Sequence, residues 1–204
     1  MSGTPNEPSE RIWDPLVRLT HWAIAIAILL NGFIIDDDAL AHIWIGYAAL
    51  SLLALRLLWG LIGTENARFS SFPISVSGAA RHVSGLLKGQ HHEHSSHNPL
   101  GALMVYALWG TLLVVSATGV MLESDLFPEN EAEYSRQLGD DDEEDEDEDE
   151  DEDGEEAEDM IGEIHEGAAN LLLLLAALHV GGVILESRLS GRNLVRAMIY
   201  RQRP

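Results

Sequence analysis

Four stretches of this chain are long and apolar enough to cross a lipid bilayer: residues 15–35, 41–62, 99–122 and 164–186. A bilayer core of about 30 Å takes about 20 helical residues, and each stretch is that long. Residues 99–122 contain no charged side chain, and neither do residues 171–185. A soluble bundle needs a polar face on each helix, and these runs leave little. Inside lipid the backbone must satisfy its own hydrogen bonds, so each run reads as a helix. The expected fold is an all-α integral membrane four-helix bundle, one domain over residues 1–200. The first run is not expected to be a cleaved signal peptide. It is too long, and it ends in Asp36-Asp37-Asp38 rather than in a small-residue cleavage site.

Basic residues give the expected orientation. On a four-helix path Arg11, Arg18, Arg56, Arg68, Arg81, Lys88, Arg188, Arg192, Arg196, Arg201 and Arg203 all fall on one side, and Arg136 falls on the other. Positive charge stays on the cytoplasmic side, so both termini and the 63–98 loop are expected there. The 36–40 turn and the 123–163 loop then face outward. Trp13, Trp22, Trp44 and Trp59 lie near helix ends, as an aromatic belt requires. Trp109 lies inside its run and reads as packing.

The net charge of −22 belongs almost entirely to one loop. Residues 123–159 hold 23 of the 34 acidic side chains and one basic residue, Arg136. Like charges at that density repel, so the 123–163 loop is expected to be largely disordered and solvated. Three readings of its 140–159 tract stay open: a solvated spacer, a docking surface for a basic carrier such as a cytochrome c, and weak divalent-cation binding. The tract lacks the spacing and glycine of an EF-hand. The absence of cysteine excludes disulfides, iron–sulfur clusters, thiolate zinc sites and covalent haem attachment.

Histidines carry the candidate chemistry. His21, His42, His165 and His179 lie in or at the edge of the apolar runs, where an ionisable side chain is costly and needs a partner. His165 and His179 are 14 residues apart, so they share one face of a helix and stand about 21 Å apart along it. Helix 1 runs inside to outside and puts His21 at the depth of His179. Helix 2 starts outside and puts His42 at the depth of His165. Two imidazole pairs at two depths suit six-coordinate b-type haem, and four-helix bundles build such sites from inward side chains. Zinc competes for imidazole but wants three or four ligands, and hydrogen-bonded packing histidines remain an alternative. Arg18 and Arg56 fit either as haem-propionate partners or as interfacial anchors. Gly32, Gly46, Gly110 and Gly119 allow close approach of a macrocycle or of another helix.

The residues form a recognisable pattern. The run from Arg11 through Trp22 (RIWDPLVRLTHW) resembles the opening of bacterial membrane cytochromes b of the cytochrome b561 and nickel–iron hydrogenase cytochrome b subunit family. So do His42-Ile-Trp-Ile-Gly46-Tyr47, Arg56-Leu-Leu-Trp-Gly-Leu-Ile-Gly63, His97-Asn98-Pro99-Leu100-Gly101, and Leu178-His179-Val180 leading to Asn193-Leu-Val-Arg196. The resemblance covers most of residues 11–200. It implies two b haems with iron ligands His21, His42, His165 and His179, and electron exchange between quinone or quinol and a redox partner. That partner would be a cytochrome c or a hydrogenase-like or other oxidoreductase subunit. It also implies a multi-pass protein of the bacterial inner (plasma) membrane, in contact with lipid. The acidic tract is the departure from the pattern.

Other features fit less specific roles. His91-His92-Glu93-His94 through His97 reads as a metal-binding tract or a polar loop. Residues 75–88 are expected to hold a short amphipathic helix. No catalytic nucleophile constellation and no phosphate-cradling glycine loop is visible. No nucleic-acid binding is expected, because the basic residues line a membrane face. Two rival functions remain: a self-sufficient membrane oxidoreductase, for example superoxide:quinone, and a cofactor-free metal-handling membrane protein.

Overall fold

α1 (Pro15–Phe33) starts at Asp14, whose carboxylate accepts from the N–H groups of Leu16 at 2.9 Å and Val17 at 3.3 Å. Pro15 takes the first helical position, where its missing N–H costs nothing. The computed structural model describes residues 14–71, 73, 75, 77–81, 99–123, 144–191 and 194–199. A short turn leads to α2 (Leu40–Ile62). The side-chain amide of Asn31, in the last turn of α1, donates to the His42 carbonyl at 3.0 Å and ties the two helices together there. Two 3-10 turns, Glu65–Ala67 and Phe69–Ser71, follow α2. Then come α3 (Pro99–Glu123), α4 (Glu144–Ser190) and the short α5 (Leu194–Ile199). Among the described residues there is no strand.

α1 to α4 each contain a segment long and apolar enough to span a membrane. Their surfaces agree: Phe33 is 71% exposed, Leu40 68% and Trp44 66%, a distribution suited to lipid and costly in water. Hydroxyls inside the helices are satisfied without solvent. Thr20, Ser51, Thr111 and Thr118 each donate to the carbonyl four residues earlier, at 2.8–2.9 Å.

The first three helices start and stop within a few residues of the apolar runs. The fourth does not. Its backbone is helical back to Glu144, so part of the acidic tract expected to be an unfolded loop lies in α4. The apolar segment is a ready nucleus, and lengthening an existing helix avoids the cost of a new one. Acidic residues are also favoured at the N-terminal end of the helix dipole. Residues 77–81 are helical within the expected 75–88 helix. Residues 82–98, with the histidine-rich tract, lie outside the described residues, as do Arg11, Trp13 and Arg136.

Neighbours in sequence are neighbours in space. α1 packs on α2, α2 on α3, and α3 most extensively on α4, while α1 and α4 touch sparsely. The core is narrow: Leu53 of α2, Leu112 of α3 and Leu172 of α4, backed by Ile24 and Ile28 of α1. Where α1 nears α4, a Cβ at Gly32 would come 2.8 Å from Leu173 Cδ2. A side chain there would make Leu173 change its rotamer.

Candidate cofactor site

His21 is six residues into α1, and α4 carries both His165 and His179 on one face. His42 is in the first turn of α2. All four rings are half-buried. The fold brings them together in two pairs. The ring centres of His21 and His179 are 6.2 Å apart, and those of His42 and His165 are 6.3 Å apart. These are the pairs that helix depth anticipates. Among the described residues no three His, Asp or Glu side chains converge on one point, so a zinc site of the usual three or four protein ligands is not formed there.

The His42/His165 pair has an unequal setting. His165 Nδ1 lies 3.0 Å from the Thr118 hydroxyl of α3, and a Cβ at Gly119 would come 3.1 Å from His165 Cε1. His42 Nδ1 is buried with no hydrogen-bond partner. Sequence reasoning marked Gly119 only as a small residue and missed Thr118. A hydroxyl in a charge-free apolar run, one position before a glycine, was the signal available.

The arginines occupy different environments. Arg56 is buried, with 7% exposure. Its Nη1 donates to the Ala67 carbonyl at 3.3 Å, and its guanidinium stands 4.9 Å from the Trp109 ring centre. Trp109 thus does more than fill space: it presents a π face to a buried cation. Arg18 Nε donates to the Met198 carbonyl of α5 at 2.9 Å. With Pro15, Leu19, Trp22 and Met198 it lines a groove of about 550 Å³ at the start of α1. Asp14 lies beside this end, where the Thr64 hydroxyl donates to its Oδ2 at 2.8 Å. Partial burial alone would raise the Asp14 carboxyl. The hydrogen bonds from Thr64, Val17 and Leu16 outweigh it and hold the group below the ordinary carboxylate range.

Residues 12–201 match the family model described as prokaryotic cytochrome b561. The chain belongs to that family. No curated protein and no solved structure matches it. The protein is thus a multi-pass membrane cytochrome b of electron transfer, and haem b follows from membership.

The residues present fit that group. Two imidazoles that share one metal ion, each bonded at about 2.0 Å, have ring centres at most about 6.2 Å apart. The two histidine pairs of this cytochrome have that spacing. One turn after His42, a Cβ added at Gly46 would meet no atom within 4 Å, so that helix face opens on space. The donor set is chemically apt, since neutral imidazole is a common ligand for iron.

Proposed function

We infer that the protein is a di-haem b cytochrome that relays electrons between the quinone pool and a redox partner in a respiratory chain of the bacterial inner membrane. The observation that carries this reading is the repeated imidazole spacing, 6.2 Å in one pair and 6.3 Å in the other. Haem b, when bound, supplies reversible one-electron chemistry.

The chain's own residues do the rest. His21 and His179 would hold the inner haem, and His42 and His165 the outer. The 14 residues between His165 and His179 set the two levels about 21 Å apart along α4. The two sites are thereby stacked across the bilayer. Neutral imidazoles add no charge to the apolar bundle, and helix packing keeps water from the ligands. Arg18 and Arg56, both toward the inner end of their helices, would offset propionate charge through charge-assisted bonds. Both termini face the cytoplasm. The acidic segment at the start of α4 offers a basic carrier such as a cytochrome c a surface of opposite sign.

The test is a reduced-minus-oxidised visible spectrum of the purified, membrane-inserted protein, with haem quantified against protein. Two b haems per chain is the expected result. One haem would restrict the assignment to a single pair. None, in a folded sample, would overturn the electron-relay reading.

A further inference from the structure

Thr118 holds the ring of His165 by a bond whose direction can be worked out. Its side chain is 8% exposed, and its hydroxyl oxygen lies 3.0 Å from His165 Nδ1. The same oxygen lies 2.9 Å from the Val114 carbonyl oxygen and 3.1 Å from that of Val115. A carbonyl can only accept, and a hydroxyl has one hydrogen. If that hydrogen went to the imidazole, two oxygen–oxygen contacts near 3 Å would have no proton between them. The hydrogen therefore serves the carbonyls, as is common for threonine in apolar helices. The hydroxyl oxygen is then left to accept from His165 Nδ1–H, with the Val115 carbonyl a second acceptor beside the ring.

Gly119 supports this arrangement. A Cβ there would come 3.1 Å from His165 Cε1 and 3.5 Å from Nδ1, so the Nδ1–Cε1 edge of the ring rests on α3. Across the pair, His42 Nδ1 is buried and unpartnered. The two imidazoles are unequal, and the inequality comes from α3, which carries none of the four histidines.

We propose that Thr118 is a positioning residue that fixes His165 in the Nδ1–H tautomer and leaves Nε2 as the free lone pair for haem iron. The proposal rests on the reading of His42 and His165 as axial ligands. A ligand imidazole whose other nitrogen donates a hydrogen bond is a stronger electron donor. That favours the oxidised iron, so Thr118 lowers the potential of the haem at this level and leaves the other unchanged.

The experiment compares Thr118→Val, close in shape but without the hydroxyl, with Thr118→Ser, which keeps it. A redox titration followed by the visible spectrum reads each haem. Nitrogen-15 NMR of the histidine-labelled full-length chain, freed of haem, reads the His165 tautomer that the protein alone sets. In Thr118→Val the midpoint potential of one haem should rise while the other stays put. Affinity for the affected haem should fall about 10-fold or more, and in the haem-free chain His165 should lose its pure Nδ1–H form. Thr118→Ser should match the wild type in every readout. Unchanged potentials and tautomer in Thr118→Val would overturn the proposal. So would Thr118→Ser behaving like Thr118→Val, since the methyl contact would then be what matters. A wild-type chain without haem defeats the axial-ligand reading instead, and the tautomer measured on that chain still decides the role of Thr118.

Discussion

His21 of α1 and His179 of α4 come from opposite ends of the chain and stand with ring centres 6.2 Å apart. They meet although α1 and α4 touch only sparsely. The two half-buried imidazoles stand edge to face, their planes 64° apart, across a loose helix contact. The same relationship recurs between His42 and His165 at 6.3 Å.

Each pair should act as a unit. His179→Ala or His21→Ala should lower haem content from two to one per chain, and should spare the spectrum of the outer site. His42→Ala or His165→Ala should do the reverse. Haem-to-protein ratios and membrane fractionation check this. Retention of both haems by His179→Ala would sink the assignment.

Glycines beside the outer pair should be intolerant of bulk for two different reasons. At Gly119 a Cβ already comes within 3.1 Å of His165, so Gly119→Leu should displace the ring and empty that level. At Gly46 nothing in the protein lies within 4 Å, so Gly46→Phe should be harmless unless a cofactor fills that space. Loss of one haem from Gly46→Phe, with normal insertion, is the expected outcome. Full loading would remove that open face from the site.

Arg56 and Trp109 should be energetically coupled. The guanidinium lies 4.9 Å from the ring centre at a buried position, where a cation–π contact is worth about 1–2 kcal/mol. A double-mutant cycle of Arg56→Met and Trp109→Leu, read by unfolding in mixed micelles, should return a coupling of that size. Strict additivity would mean that the ring is only filler.

Asp14 should make stability depend on acid. Its carboxyl is held below the ordinary value of 3.8 in the folded protein. A depressed folded pKa means the stabilisation is complete above the unfolded pKa and is lost as pH falls through the folded one. Asp14→Ala should therefore cost about 1 kcal/mol near neutral pH, the usual worth of a helix cap. Its melting curve should begin to converge with that of the wild type as pH falls below about 4, and should meet it only below the folded pKa. A gap independent of pH would show that the charge plays no part.

Orientation is testable in cells. Reporters that work only in the cytoplasm should be active when fused after Pro204 and silent when inserted in the 124–143 loop. The reverse pattern would invert the positive-inside assignment.

Much of the site was legible because hydropathy and helical period are one-dimensional. The extents of α1, α2 and α3, the shared face of His165 and His179, and the depth of all four histidines follow from counting residues. Arg56 was legible as a candidate but not its environment, since nothing in the order of residues says that Trp109 of α3 lies beneath it. The start of α4 was also hidden. An acidic tract reads as a loop, and only attachment to a long apolar helix carries the backbone helix back to Glu144.

By itself the sequence determined four membrane-spanning helices, the family, and two histidine levels, because burial in lipid and a rise of about 1.5 Å per residue leave few alternatives. Only the tertiary structure decided the lateral arrangement: α1 barely touching α4, α3 packed along α4, and Thr118 and Gly119 set against His165. In lipid no hydrophobic penalty ranks one apolar face above another. Which helices become neighbours is settled by side-chain fit and a few hydrogen bonds, and those exist only once the bundle has assembled.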